Sequence, residues 1–179
     1  MTRHGSQRDD FAEFVHARSP ALQRAAYLMV GDVGLAQDLV QEALTKTYIA
    51  WPRLREKRAA EAYARKAVTT TAISWFRRKA WNGERTVEHL PEGTDADHAD
   101  AVAEQDALWA ALLELPIRQR TAIVLRYYED LTESQAAAAM GCAVGTVKSQ
   151  VSAGMAKLRD RLGDAPDLLP TLETLTVTR

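Results

Sequence analysis

The chain has 179 residues, 46% apolar and 26% charged, in the proportions of a soluble globular protein of one ordinary domain or two small ones. No stretch approaches the roughly 20 apolar residues a membrane-spanning helix needs, and residues 1–20 lack the apolar run of a secretory signal. The single cysteine, Cys142, excludes an internal disulfide framework and any multi-cysteine zinc site. Nine glycines and six prolines are too few for a loop-rich β fold, so the expectation is an all-α cytoplasmic protein with no membrane insertion.

The net charge of −1 conceals an uneven distribution. Residues 51–85 carry 10 Lys and Arg against 3 Asp and Glu, whereas residues 86–115 carry 8 acidic residues and no Lys or Arg. A basic block beside an acidic one points to a polyanionic partner and an acidic tether.

Helical periodicity runs from about residue 8 to residue 82. Phe11, Phe14 and Val15 begin an apolar stripe that Leu22, Ala25, Ala26, Leu28 and Met29 continue beyond Pro20. Gly31-Asp32 breaks it, and Asp32 is placed to cap the next helix. Leu35, Leu39, Val40, Ala43, Leu44, Thr47 and Tyr48 then follow at helical spacing until Pro52. After Arg53–Arg58 a further helix is expected from about Ala60 to Lys79. Together these segments predict a small helical bundle with its own core. Residues 83–101 are acidic and almost free of apolar periodicity, which predicts a flexible, solvated linker.

A second helical module is expected over 102–163. Val102 to Leu115 form one helix that stops at Pro116, and Ile117, Ile123, Val124, Tyr127 and Tyr128 mark another. Thr132-Glu133-Ser134-Gln135 has the form of a capping box. It opens a short alanine-rich helix that ends at Gly141, and a longer helix follows from about Val144 to Leu162. This is the helix-turn-helix arrangement. Alanines 136–139 let the second helix cross closely, and Gly141 supplies a backbone conformation that side chains with a Cβ resist. Val144, Val147, Val151 and Leu158 are expected to face inward. Thr146, Lys148, Ser149, Gln150 and Ser152 then face outward, where short polar side chains reach base edges and phosphates in a major groove. The tail 164–179 has no predicted structure.

Cys142 reads as a small packing residue. The four histidines show no ligand spacing, and no nucleophile–base motif, phosphate loop or cofactor motif stands out, so catalysis is not expected.

On four segments the chain resembles the extracytoplasmic-function sigma factors of the sigma-70 superfamily, in particular their actinobacterial sigma-E-like branch. These are GDVGLAQDLVQEAL (31–44), YARKAVTTTAISWFRRK (63–79), LPIRQRTAIVLRYYEDLTESQAAAAMG (115–141) and VGTVKSQVSAGMAKLR (144–159). The resemblance covers about residues 8–163. It implies region 2 over 8–82, an acidic linker over 83–101 and region 4 over 102–163. It also implies core RNA polymerase (its β′ clamp and β flap), promoter DNA and, in some members, an anti-sigma factor as partners.

The first segment resembles the clamp-binding helix, with Asp38, Leu39, Gln41, Glu42 and Thr45 as its contact residues. Asp38, Gln41, Glu42 and Thr45 recur at i, i+3, i+4 and i+7. The second resembles the −10 reader. By position the resemblance assigns Arg53, Arg55, Arg65, Lys66, Thr70, Ser74, Trp75, Arg77, Arg78 and Lys79 to the −10 strand, cations for phosphates and rings for bases. At least one of Trp75 and Phe76 is expected in the core. Thr70 and Ser74 stand where many relatives have Asn and Asp. The last two segments resemble the −35 reader, with Thr146, Lys148, Ser149, Gln150, Ser152 and Lys157 toward duplex DNA. Ala143 stands where relatives usually have Ser or Pro, which removes a capping hydroxyl. Ala153 and Met155 stand where arginines are common, which predicts a weaker, less salt-sensitive −35 contact. The implied function is promoter recognition and transcription initiation by core polymerase. The alternative is an autonomous helix-turn-helix repressor.

Overall fold

The computed structural model describes residues 3–54, 56–81 and 99–163, and among them every regular element is helical. The N-terminal region is a three-helix bundle. Helix α1 (Arg3–Val30) continues through Pro20 without interruption. Helix α2 (Val33–Ala50) opens on Asp32, whose Oδ1 accepts the Leu35 amide at 2.6 Å as its sequence position predicts. A single 3₁₀ turn, Trp51–Arg53, carries Pro52 and leads to α3 (Lys57–Trp81).

The buried face of α3 is built largely from alanine. Ala60, Ala64, Ala67 and Ala72 recur at intervals of four, three and five beside Val68, Thr69 and Ile73. Such a stripe lets α1 and α2 approach closely while leucines and valines from those helices fill the space. An aromatic cluster closes one end of the bundle. Phe11 lies 4.9 Å from Tyr48 and 5.0 Å from Trp51, and Phe14 lies 5.2 Å from Trp51 between ring centroids. Each such pair contributes about 0.5–1.5 kcal/mol beyond its buried area.

The C-terminal region comprises α4 (Ala99–Glu114), α5 (Ile117–Ile123), α6 (Glu133–Met140) and α7 (Val144–Leu162). Because α4 begins at Ala99, the last residues of the expected linker are helical, and the apolar run of α4 is extended N-terminally by polar residues on the same helix. Residues 82–98 and the tail 164–179 lie outside the described residues. Between α5 and α6 the chain makes a π-helical turn, Val124–Tyr128, in which the Glu129 amide donates to the Val124 carbonyl at 3.0 Å. Asp130 then adopts φ 50°, a left-handed conformation that aspartate tolerates better than most residues.

The two expected regions are present, but their buried side chains form one continuous cluster. Tyr27 of α1 stacks on Trp109 of α4 at 5.0 Å and 24°. Arg120 of α5 is only 4% exposed. It donates to the carbonyl of Met29 at 3.2 Å and to those of Leu113 and Leu115, so one guanidinium ties the end of α1 to the α4–α5 corner. Arg24 Nε donates to the Tyr128 hydroxyl at 3.1 Å, and α3 packs along α6.

Candidate functional site

Three surfaces collect the residues singled out by sequence. The first is the outer face of α2. Ala36, Leu39, Val40, Ala43 and Thr47 face the bundle, which leaves Asp38, Gln41, Glu42 and Thr45 exposed in one stripe. Glu42 pairs with Lys46 at 2.6 Å, and Lys46 also reaches the Thr71 hydroxyl at 3.3 Å. Leu39 corrects an expectation. It is 3% exposed, one position round from Asp38 on the core side, and supports the stripe from behind. The sequence pattern missed Ile49, which is 75% exposed one turn beyond Thr45 and adds an apolar end to the stripe. Its position at i+4 from Thr45 is the signal that could have found it.

The second surface is α3. Arg53, Lys66, Arg77 and Arg78 are exposed, and Arg55 lies outside the described residues. Arg65 is not a free cation. Its Nε donates to Glu129 at 2.7 Å and its Nη2 to Glu61 at 3.0 Å, with the side chain 17% exposed. Glu61 also holds Arg18 at 3.1 Å. The Thr70 hydroxyl turns back to the Lys66 carbonyl at 2.7 Å. Ser74 is half-buried. Trp75 and Phe76 meet edge to face at 4.9 Å, with Phe76 packed on the core and Lys79 over the Trp75 ring at 4.8 Å. The ring most available to a base is Trp81, at 90% exposure.

The third surface is the helix-turn-helix. Both halves of the capping box form, with Thr132 Oγ1 accepting from the Gln135 amide at 3.2 Å and Gln135 Oε1 from the Thr132 amide at 2.8 Å. Gly141 takes φ 63°, and Cys142 packs partly buried beside it. Ala143 has extended N-cap geometry but offers no side-chain acceptor to α7. Lys148, Ser149, Ser152 and Lys157 are exposed, while Thr146 and Gln150 are half-buried.

Two expectations change, one inward and one outward. Val144 is 39% exposed because it is the first residue of α7 and projects past the turn. Met155 is 6% exposed in the core, so a charge there would not reach a phosphate. The close packing of α7 on α5 instead centres on Gly154, where a Cβ would lie 2.7 Å from Ile123 Cδ1 and 3.3 Å from Gln119 Cβ. Sequence reasoning missed Arg126, which lines a groove of about 290 Å³ beside the recognition face with Lys148, Ser152 and Arg159, the last already expected to hold a phosphate. Among the described residues no cluster of His, Cys, Asp and Glu could hold a metal ion, and no helix is long and apolar enough to cross a membrane.

These surfaces coincide with recognised families. Residues 14–82 match sigma-70 region 2 and residues 105–158 match sigma-70, region 4. The RNA polymerase sigma-E factor of Streptomyces coelicolor is 38% identical over 153 residues, covering 86% of this chain and 86% of that protein. The chain belongs to the extracytoplasmic-function sigma factors. It is an alternative sigma factor that directs transcription initiation. The ECF RNA polymerase sigma factor SigW of Bacillus subtilis is 27% identical over 179 residues, covering 92% of this sigma factor and 94% of that one. The fold is similar to that of the sigma factor RpoE of Bartonella quintana, solved in complex with the anti-sigma factor NepR. That match has a TM-score of 0.69 at 24% identity and covers 87% of this chain and 98% of that one.

Proposed function

We propose that this sigma factor divides its work among the three surfaces, with region 2 over about 8–82 and region 4 over about 102–163. The outer stripe of α2, Asp38, Gln41, Glu42 and Thr45 with Ile49 at its end, binds the core polymerase clamp. Helix α3 and the 3₁₀ turn before it capture the opened −10 strand, with Arg53 of the turn and Arg65, Lys66, Arg77, Arg78 and Lys79 of the helix as phosphate contacts. Thr70 and Ser74 face bases, and Trp75 and Trp81 offer ring faces. Helix α7 docks on −35 duplex through Lys148, Ser149, Ser152 and Lys157, with Thr146 and Gln150 at the edge of the contact. The protein acts as a binding factor in the cytoplasm, where promoter and polymerase are, and an anti-sigma factor could cover the same surfaces.

The observation that carries this reading against an autonomous repressor is the α2 stripe. A helix that buries one face completely and leaves a row of carboxylate, amide and hydroxyl groups on the other is suited to a basic partner helix. Gel filtration with core polymerase tests the assignment. The parent co-elutes, and the Asp38→Ala/Glu42→Ala variant does not. Undiminished co-elution of the variant removes the stripe from the interface. Failure of the parent to co-elute, with tight duplex binding by the free protein, returns the repressor.

A further inference from the structure

The helix-turn-helix carries a carboxylate where a DNA-binding surface calls for cations. Glu133 is the first residue of α6, the helix that crosses the backbone when such a motif docks. Its Oε2 lies 3.4 Å from Nζ of Lys148, one turn into α7, so the pair bridges the two helices of the motif. Both side chains remain partly open to solvent, at 41% and 62%. Among the described residues lining the groove with Arg126, Lys148, Ser152 and Arg159, Glu133 is the one carboxylate.

Phosphate binding does not account for it. Each cation set against a phosphate gains affinity by releasing counterions, and a carboxylate at the same place opposes that gain. Nor does α6 need it as a cap, since Thr132 and Gln135 already satisfy the helix start. Neighbouring donors are committed to the backbone: Ser149 Oγ donates to the Thr146 carbonyl at 2.9 Å, and Arg126 Nη1 donates to the Leu131 carbonyl. The Lys148 ammonium has three donors, and with one side turned to Glu133 the others remain for DNA.

A cation and a carboxylate side by side match one base pair better than the other. In the major groove, guanine presents N7 and O6 as adjacent acceptors and its cytosine presents the N4 amino donor beyond them. Two lysine donors and one carboxylate are then all matched. In an A·T pair the adenine amino group lies between two acceptors, so a lysine reaching across N7 and its neighbour meets one acceptor and one donor.

We propose that Glu133 and Lys148 read one G·C pair of the −35 duplex as a unit. Lys148 donates to guanine O6 and N7, Glu133 accepts from the cytosine amino group, and the carboxylate keeps Lys148 off the phosphates. This pairing rests on the reading of α7 as the −35 helix and adds a residue of α6 to it. Phosphate contacts fix position but carry no sequence information, so a group that penalises them widens the gap between right and wrong duplex.

The test uses the full chain with Glu133→Gln, Lys148→Gln and the double variant, each checked for folding by its melting midpoint. The parent first selects 20-base-pair duplexes from a randomised pool. Fluorescence anisotropy over a salt series then measures affinity for the selected duplex, for copies with A·T and G·C exchanged at each pair in turn, and for a scrambled duplex. One G·C pair should matter to the parent by at least about fivefold, and Lys148→Gln should abolish that preference. Glu133→Gln should cut the preference at the same pair at least about threefold and tighten scrambled-duplex binding about two- to fivefold. It should also steepen the logarithmic salt slope by about 0.9, because Lys148 becomes one more phosphate contact. In the Lys148→Gln background, Glu133→Gln should change neither preference nor slope.

A lower melting midpoint for Glu133→Gln with preference and slope unchanged makes the pair a brace between α6 and α7 and overturns the proposal. Equal effects with and without Lys148 overturn it as well, because the carboxylate then repels the backbone on its own. Loss of preference at an A·T pair on Lys148→Gln refutes the G·C assignment. If Lys148→Gln leaves every duplex affinity unchanged, the placement of Lys148 on −35 DNA falls first, and the unit falls with it.

Discussion

Helix α7 lacks a side-chain cap, and restoring one is a direct test of how its N-terminus is held. Ala143 has φ −74° and ψ 152°, already the extended geometry of an N-cap residue. Its carbonyl accepts from the Thr146 amide at 3.0 Å and the Val147 amide at 3.2 Å. The Val144 and Gly145 amides have no protein acceptor in the first turn among the described residues. Ala143→Ser introduces an acceptor at a position that needs no backbone change, with an expected gain of about 1 kcal/mol.

The same protein supplies the opposite perturbation. Thr132 caps α6 with both bonds of the capping box formed, so Thr132→Ala should lose about 1 kcal/mol. For a cooperative unit of this size, 1 kcal/mol moves the melting midpoint by roughly 2–4 °C. Scanning calorimetry of the two single variants and their combination should therefore give a rise, a fall and near cancellation. A fall for Thr132→Ala with no rise for Ala143→Ser would show that the first turn of α7 gains nothing from a side-chain acceptor, and the argument would fail.

Three further outcomes follow from the packing. Trp109→Ala removes a buried ring stacked on Tyr27 and should cost about 3–5 kcal/mol by urea titration; a cost below about 1 kcal/mol would contradict its place in the core. Gly154→Ala gains helix propensity but drives a methyl to within 2.7 Å of the fully buried Ile123, so a net loss of about 1–2 kcal/mol is expected, and a higher melting midpoint would refute it. Ala153→Arg, on the exposed face of α7, should steepen the logarithmic salt dependence of duplex binding by about 0.9, whereas Met155→Arg should lower stability without changing that slope. Equal slopes for the two arginine variants would show that position 155 reaches DNA after all.

The parts legible in the sequence are those whose causes are local. Asp32, the Thr132–Gln135 box and Gly141 act on backbone groups within three or four residues, so their chemistry can be read from spacing alone. The apolar stripes of α2 and α7 likewise follow from the helical period, Leu39 included, and Val144 departs from it because it lies in the first turn of α7.

Illegible features depend on partners far along the chain. Arg65 and Glu129 are 64 residues apart, and Arg120 and Met29 are 91 apart. No pattern in either segment specifies the other. Arg120 did leave a trace, since it shares the phase of the half-buried Ile117 and the buried Val124. Counting charges by segment treats such an arginine as solvated, whereas here it serves three carbonyls.

The π-helical turn at Val124–Tyr128 adds a consequence of its own. A turn closed by a bond from residue i+5 holds one residue more than the regular α-helical turn. Each residue of an α-helix advances the azimuth by about 100°. The turn therefore works as a single-residue insertion that resets which way the following chain points, and it delivers Glu129 to Arg65 rather than to solvent. Shortening the segment by one residue would leave its apolar content nearly unchanged yet rotate Glu129 by about 100°. In this chain the length of those five residues, as much as the charge on Glu129, thus decides whether the carboxylate meets Arg65.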